Sequence, residues 1–488
     1  MNLKEISNTT RKSNQAFKTY KTISPKRRAG FLRAIADEIE ALGDDLLNTA
    51  SRETNLPIPR LTGERGRTVG QLRLYANLLE EGSWLDATID TAMPDRQPLP
   101  RVDLRKMLVP IGPVVVFGSS NFPFAYSTAG GDTASALATG CPVIVKGHPA
   151  HAETSRMVAA AIKKAAVKTK MPEGVFGHVE GGVEVGTYLV KHPIVKAVGF
   201  TGSFLGGKAL FDLANKRKVP IPVFAEMGSV NPVFVFENAL ILRGGKIAEQ
   251  LADSATLGVG QFCTKPGLII GVESAALTAF THDLKEKLQA KTAVPMLHQG
   301  IANNFKKGLH AIENQHIEQF STFNNDDKAI NGFPALGVTD GATFLKNRTL
   351  HQEVFGPFTL VVKCKDKAEM KRIAEKLEGQ LTASLIAEPS DLVKQNDLLQ
   401  AISEKCGRFN LNNVPTGVEV AHAMQHGGPF PASTDSRFGA VGHSAVLRWV
   451  RPLSYQNFSD DLLPDELKNA NPLSILRRVN GVLTKDAI

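Results

Sequence analysis

Residues 114–146 read VVVFGSSNFPFAYSTAGGDTASALATGCPVIVK, and two segments within them decide the fold. Val114-Val115-Val116-Phe117 is a short apolar run without alternation, the pattern of a strand covered on both faces of a parallel sheet. Val143-Ile144-Val145 repeats it after Gly140-Cys141-Pro142, and further strand-like runs stand at Val175-Phe176 and from Val195 to Phe200. Between them, residues 153–168 place Met157, Val158, Ala161, Ile162 and Ala165 on one helical face, and another helix starts near Gly206. Strand and helix alternate, so a doubly wound α/β domain is expected. Beyond about Val233 the rhythm restarts with helix and then Gly267-Leu268-Ile269-Ile270 as strand, which reads as a second α/β domain.

Upstream, Ser24-Pro25 has the capping hydroxyl and first-turn proline of a helix start. Leu32, Ile35, Ile39, Leu42 and Leu46 continue at spacings of three and four as one amphipathic helix, and Leu72, Tyr75 and Leu79 mark another. The proline-rich stretch from Pro94 to Pro113 interrupts helix and is expected to hold extended segments that cross away from the main body.

The chain of 488 residues has room for two or three domains. No apolar run approaches the roughly 20 residues of a membrane span, and Met1 to Tyr20 lacks the apolar core of a secretory signal. A cytoplasmic protein is expected. The 57 basic residues outnumber 48 acidic ones, but the two are interleaved, and Lys216-Arg217-Lys218 is the tightest basic cluster. Without a finger or stacking signature, nucleic acid is not an expected partner. Cys141, Cys263, Cys364 and Cys406 lie far apart with no C-x-x-C pair, against a zinc ribbon or redox dithiol. His422 and His426, and His148 and His151, have spacings that suit a metal on a helix, but they sit among Gly and Pro and read as loop residues. No metal is expected.

Three stretches carry chemistry. In Gly258-Val259-Gly260-Gln261-Phe262-Cys263-Thr264 the glycines let backbone approach a ligand, and a thiol there can act as a nucleophile if its thiolate is favoured. Taken alone, such a cysteine reads first as a packing residue. Phe224-Ala225-Glu226-Met227-Gly228 places a carboxylate at an apolar strand end, where burial would raise its pKa toward that of a general base. Asn121 follows the first buried strand, beyond its carboxyl end, where its amide can donate to an oxyanion or simply shape a turn. No G-x-G-x-x-G fingerprint follows a strand; instead Phe200-Thr201-Gly202-Ser203 precedes Gly206 and Gly207 at a helix start, a place for a pyrophosphate or a plain cap. Lys146 ends the second buried strand, and Glu353 lies in the turn Glu353-Val354-Phe355-Gly356-Pro357.

Asn121-Phe122-Pro123, Lys146, the run Phe200 to Gly207, Glu226-Met227-Gly228, Gly260 to Thr264 and Glu353 to Pro357 together resemble the aldehyde dehydrogenase superfamily in order and spacing. Glu64 to Arg73, Gly130 to Leu137, Lys146 to His151 and His426 to Arg437 resemble its 2,5-dioxopentanoate (α-ketoglutarate semialdehyde) dehydrogenase group. The resemblance implies a Rossmann-type cofactor domain (1–95 and 113–231), an α/β catalytic domain (232–430) and a small oligomerisation extension (96–112 and 431–488) in a homo-oligomer, dimer or tetramer. It implies Cys263 as nucleophile, Asn121 with the Cys263 amide as oxyanion holders and Glu226 as the base for water. Lys146 and Glu353, with Phe355 in its turn, would hold the riboses, and Gly202, Ser203 and Gly207 the pyrophosphate. CoA-acylating relatives lack the base, so an acid product is implied.

Two departures matter. NAD-preferring members carry a glutamate where this chain has Pro149, so NADP is the expected cofactor, with NAD possible because Glu184 stands nearby in the next crossover. The chain also begins almost directly at its first helix, where relatives usually carry an additional strand segment. Arg67 and Arg73 share a helix and read either as anchors for a substrate carboxylate or as surface ion-pairing residues. The alternatives are a broad medium- or long-chain aldehyde dehydrogenase and a non-catalytic nucleotide-binding protein of the same fold.

Overall fold

A computed structural model describes residues 3–325 and 328–488. The first α/β unit is a parallel five-stranded sheet in the order Phe176–Val179, Val143–Lys146, Val114–Phe117, Ala197–Thr201, Val223–Glu226. Val114, Val115, Val143, Ile144 and Val198 are fully buried, as continuous apolar strands demand. The chain leaves Val114–Phe117 in one direction and returns at Ala197–Thr201 on its other side. That reversal opens a crevice at the carboxyl ends of the strands.

The second unit is a seven-stranded sheet, Gln319–Thr322, Ala335–Asp340, Phe358–Cys364, Leu268–Val272, Pro232–Val235, Gln380–Ile386, Cys406–Leu411. All its pairings are parallel except that of Gln319–Thr322. A third sheet joins Val450–Gln456, Leu104–Pro110, Thr88–Asp90, Arg477–Val479 and Val482–Thr484. Within the proline-rich stretch Leu104–Pro110 is therefore extended and pairs with a strand far along the chain, while residues 94–100 turn. Before reaching this sheet, residues 431–449 run back over the first: Ser433 bridges to Glu226, and Arg448 forms a buried 2.7 Å ion pair with Asp132. Removing one partner of such a pair costs about 3–5 kcal/mol.

The expected helix from Ser24 to Leu46 is two helices, Pro25–Glu40 and Gly43–Thr54. Ser24 does cap the first, accepting from the Arg27 amide, but Gly43 takes φ +59° and breaks the run. An earlier helix, Leu3–Tyr20, has a buried face of Ile6, Thr10, Ser13, Ala16 and Tyr20. Small and polar residues make up most of that face, so its apolar periodicity is weak. Among the described residues no helix is long and apolar enough to cross a membrane.

Candidate active site

Glu226 is the last residue of its strand and is buried. Cys263 approaches it from the other α/β unit on a turn with three successive left-handed residues, Gly258, Val259 and Gly260. For Val259 this is a strained backbone. The turn is seated by contact: a Cβ on Gly260 would lie 2.4 Å from the carbonyl carbon of Gly356. Asn121 closes the third side, its Nδ2 donating to the Gln261 carbonyl at 3.0 Å. The Asn121 loop is held from behind by Glu64, which accepts from the amides of Phe124 and Ala125 at 2.8 and 2.9 Å and pairs with Arg60.

The structure adds a residue that the sequence left as a loop histidine. His426 Nε2 lies 3.5 Å from Cys263 Sγ and 3.0 Å from Glu226 Oε1. The approach to Glu226 is close without being aligned as a hydrogen bond, so both carboxylate oxygens are buried without an aligned partner. Burial raises the Cys263 thiol well above its ordinary range, and the negative charge of Glu226 adds to this while Arg67 opposes it. Burial also works to raise Glu226, but His426 and then Arg448 outweigh it and hold the carboxyl below its usual range. The expected upward shift of Glu226 is therefore corrected. Neighbouring positive charge, invisible in the local sequence, reverses the effect of burial.

Cys263, Glu226 and Asn121 line a cavity of about 530 Å³ together with Gly202, Ser203 and Glu353. Phe355 also lines it. Ser203 caps the helix Phe204–Asn215, accepting from the Gly206 amide, so a helix N-terminus faces the cavity. Gly207 is buried against Met227 in the first turn of that helix. Glu353 rests on Gly228, where a Cβ would come within 2.5 Å of its Oε2. Burial raises the Glu353 carboxyl; the ammonium of Lys265 opposes this, and Lys265 itself, lowered by burial, donates to the carbonyls of Val354 and Phe358. Lys146 is half-buried, its pKa lowered by burial and partly restored by Glu184. Pro149 opens the short turn Pro149–His151 just beyond it.

Not every candidate converges. Arg67 donates to the Tyr126 hydroxyl at 2.9 Å, and Tyr126 lines the cavity. Arg73 instead pairs with Asp37 and Glu40 on the neighbouring helix, and the structure does not bring it to the site. The His422 ring lies 5.4 Å from His443 at a tilt, and His148 stacks on His151 with its Nδ1 accepting from the Ala150 amide.

A model of the aldehyde dehydrogenase family matches residues 1–447. The chain is 49% identical to the alpha-ketoglutaric semialdehyde dehydrogenase of Acinetobacter baylyi, over 99% of this chain and 92% of that protein. It is 50% identical to alpha-ketoglutaric semialdehyde dehydrogenase 2 of Azospirillum brasilense, over 96% of this chain and 90% of the relative. A solved 1-pyrroline-5-carboxylate dehydrogenase from Thermus with bound NAD shares the fold, with TM-score 0.78, 20% identity, and 93% and 85% of the two chains covered. The chain belongs to the aldehyde dehydrogenase family, oxidoreductases that use NAD(P).

Proposed function

We propose that this enzyme oxidises 2,5-dioxopentanoate to 2-oxoglutarate, with Cys263 as nucleophile and NADP as the preferred acceptor. The observation that carries the reading is the convergence of Cys263 and Glu226, with His426 against both, and Asn121 in a cavity that a capped helix N-terminus also lines. Identity near one half to two relatives named for this semialdehyde supports the substrate.

The crevice fits a dinucleotide. Ser203 and Gly206 present a helix N-terminus to the cavity, the setting in which amides and the helix dipole favour a pyrophosphate. Glu353, in the cavity wall with Phe355, and Lys146, at the end of its strand, would take the ribose hydroxyls. When bound, the cofactor supplies an oxidised nicotinamide that accepts a hydride. Pro149 puts no carboxylate against a 2′-phosphate, which supports NADP, and Glu184 near Lys146 keeps NAD usable.

In the proposed chemistry the Cys263 thiol gives up its proton to water in the cavity, and sulfur adds to the aldehyde carbon. The oxyanion is held by Asn121 and the Cys263 amide. Loss of hydride from that carbon leaves a thioester on Cys263. Glu226, held ionised, takes a proton from water as its oxygen attacks, and the C–S bond breaks to release acid and thiolate.

The third sheet supports the proposed homo-oligomer, dimer or tetramer: Val450–Gln456 is an edge strand, and Phe458, Leu462, Val482 and Leu483 are exposed. The proposed domain division is that of the sequence reading, a cofactor domain (1–95, 113–231), a catalytic domain (232–430) and an oligomerisation extension (96–112, 431–488). Steady-state oxidation of 2,5-dioxopentanoate with NADP and with NAD tests the reading; turnover confined to long-chain aldehydes would replace the substrate.

A further inference from the structure

The proposed chemistry uses Cys263 and Glu226 and leaves His426 without a task, although its ring is almost wholly buried against both. Its Nε2 stands 3.5 Å from Cys263 Sγ and 3.0 Å from Glu226 Oε1, and one ligand atom from each of the three residues lies within 4.8 Å of the other two. Sulfur, imidazole nitrogen and carboxylate oxygen at such separations can share one ion. Zinc bonds of about 2.3 Å to sulfur and about 2.0–2.2 Å to nitrogen and oxygen, at tetrahedral angles, set S and N about 3.5 Å apart and N and O about 3.4 Å apart. The first separation is already present, and the second needs only a small opening of the His426–Glu226 contact.

The frame is set by the fold. Glu226 ends its strand and bridges to Ser433, and the Ala440 amide donates to the His426 carbonyl, so the segment bearing His426 is tied to the strand bearing Glu226. Cys263 is fixed from the other unit, its carbonyl accepting from Asn231 Nδ2 at 2.8 Å. Both oxygens of Glu226 are buried without an aligned partner, which leaves lone pairs that the chain itself does not engage. Cys263 and Glu226 line the cavity, so an ion has a way in and keeps a fourth position open toward it. Charge favours the same occupant. A thiolate and a carboxylate together neutralise a dication, so the filled site brings no net charge into a buried place. Thiolate and imidazole select zinc over magnesium or calcium, which take oxygen ligands. Among the described residues a further cluster, His282, Asp283 and Glu286, lies at the surface of one helix and offers no sulfur.

We propose that Cys263, Glu226 and His426 form a site for one zinc ion, whose binding reversibly switches the enzyme off. Binding breaks the S–H bond of Cys263, releases that proton to solvent and forms an S–Zn bond, with no change of oxidation state. Lone pairs of the unprotonated His426 Nε2 and of a Glu226 oxygen complete the protein's share of the coordination. The binding rests on the geometry of the three side chains. The inhibition rests also on the proposed roles of Cys263 and Glu226, because the ion occupies nucleophile and base together.

The test titrates zinc chloride into the full-length enzyme after dialysis against EDTA. Calorimetry is expected to show one ion bound per chain, at least tenfold more weakly in His426→Gln and in Cys263→Ser, and unchanged in His282→Gln. Cobalt in place of zinc should give a thiolate-to-metal charge-transfer band in the near ultraviolet that Cys263→Ser removes. One equivalent of zinc, but not of magnesium, should slow alkylation of Cys263 by iodoacetamide at least tenfold in the wild type, a readout that needs no variant to fold. In the aldehyde assay zinc should stop turnover and EDTA restore it. Zinc bound equally by wild type and His426→Gln, or lost only in His282→Gln, would put the ion elsewhere and overturn the inference, as would alkylation that ignores zinc. Turnover unaffected by the bound ion would overturn the switch. No zinc bound by an enzyme that oxidises 2,5-dioxopentanoate would sink the metal site and leave the proposed reaction standing. Zinc that protects Cys263 in a protein oxidising no aldehyde would keep the site while refuting that reaction.

Discussion

Gly260 and Gly356 meet backbone to backbone, so close that a Cβ on the first would stand 2.4 Å from the carbonyl carbon of the second. The contact joins the turn carrying Cys263 to the turn carrying Glu353, fixing the proposed nucleophile relative to the proposed ribose site. Gly260→Ala must push these turns apart and also place a side chain at φ +63°. A loss of about 2 kcal/mol in stability is expected, seen as a lower denaturation midpoint, together with a raised KM for the cofactor. An unchanged cofactor KM would show that the contact does not set the site.

The raised pKa of Cys263 has a direct kinetic consequence. Burial and Glu226 disfavour the charged thiolate, so at neutral pH the free enzyme holds the thiol. Below the pKa the thiolate fraction rises tenfold per pH unit, and alkylation of Cys263 by iodoacetamide should accelerate nearly in proportion from pH 7 to 9. Peptide mapping by mass spectrometry isolates this residue from Cys141, Cys364 and Cys406. A rate flat across that range would indicate a thiolate already formed.

Glu226→Gln removes the proposed base while keeping the shape of the strand end. Steady-state turnover should fall by about 10²–10⁴-fold, while a burst of reduced cofactor equal to the enzyme concentration persists, because only thioester hydrolysis is blocked. Stopped-flow absorbance separates the phases. Loss of the burst along with turnover would place Glu226 in the earlier step.

Pro149→Glu restores a carboxylate beside Lys146. Repulsion of a 2′-phosphate should raise the KM for NADP at least tenfold, with little loss for NAD, as read from parallel titrations of the two cofactors. Equal effects on both would remove Pro149 from the account of cofactor choice.

The sequence was legible where function and fold are written locally. Val114–Phe117 and Val143–Lys146 declare a parallel sheet because both faces are covered. Glu226 and Cys263 sit in short motifs whose glycines answer to visible contacts, Gly228 with Glu353 and Gly260 with Gly356. His426 escaped because it meets Cys263 across 163 residues and lies among glycines and prolines that read as loop. The downward shift of Glu226 escaped for the same reason, since its causes, His426 and Arg448, are remote in the chain. Arg67 and Arg73 looked alike on one helix, and only packing against Tyr126 or against Asp37 and Glu40 tells them apart.

The most direct test of the central claim follows reduced-cofactor absorbance with purified protein, NADP, and 2,5-dioxopentanoate, succinic semialdehyde or a long-chain aldehyde, with Cys263→Ala as control. The account predicts a clear preference for 2,5-dioxopentanoate that disappears in the variant. No turnover of any aldehyde by folded protein that binds NADP would contradict it.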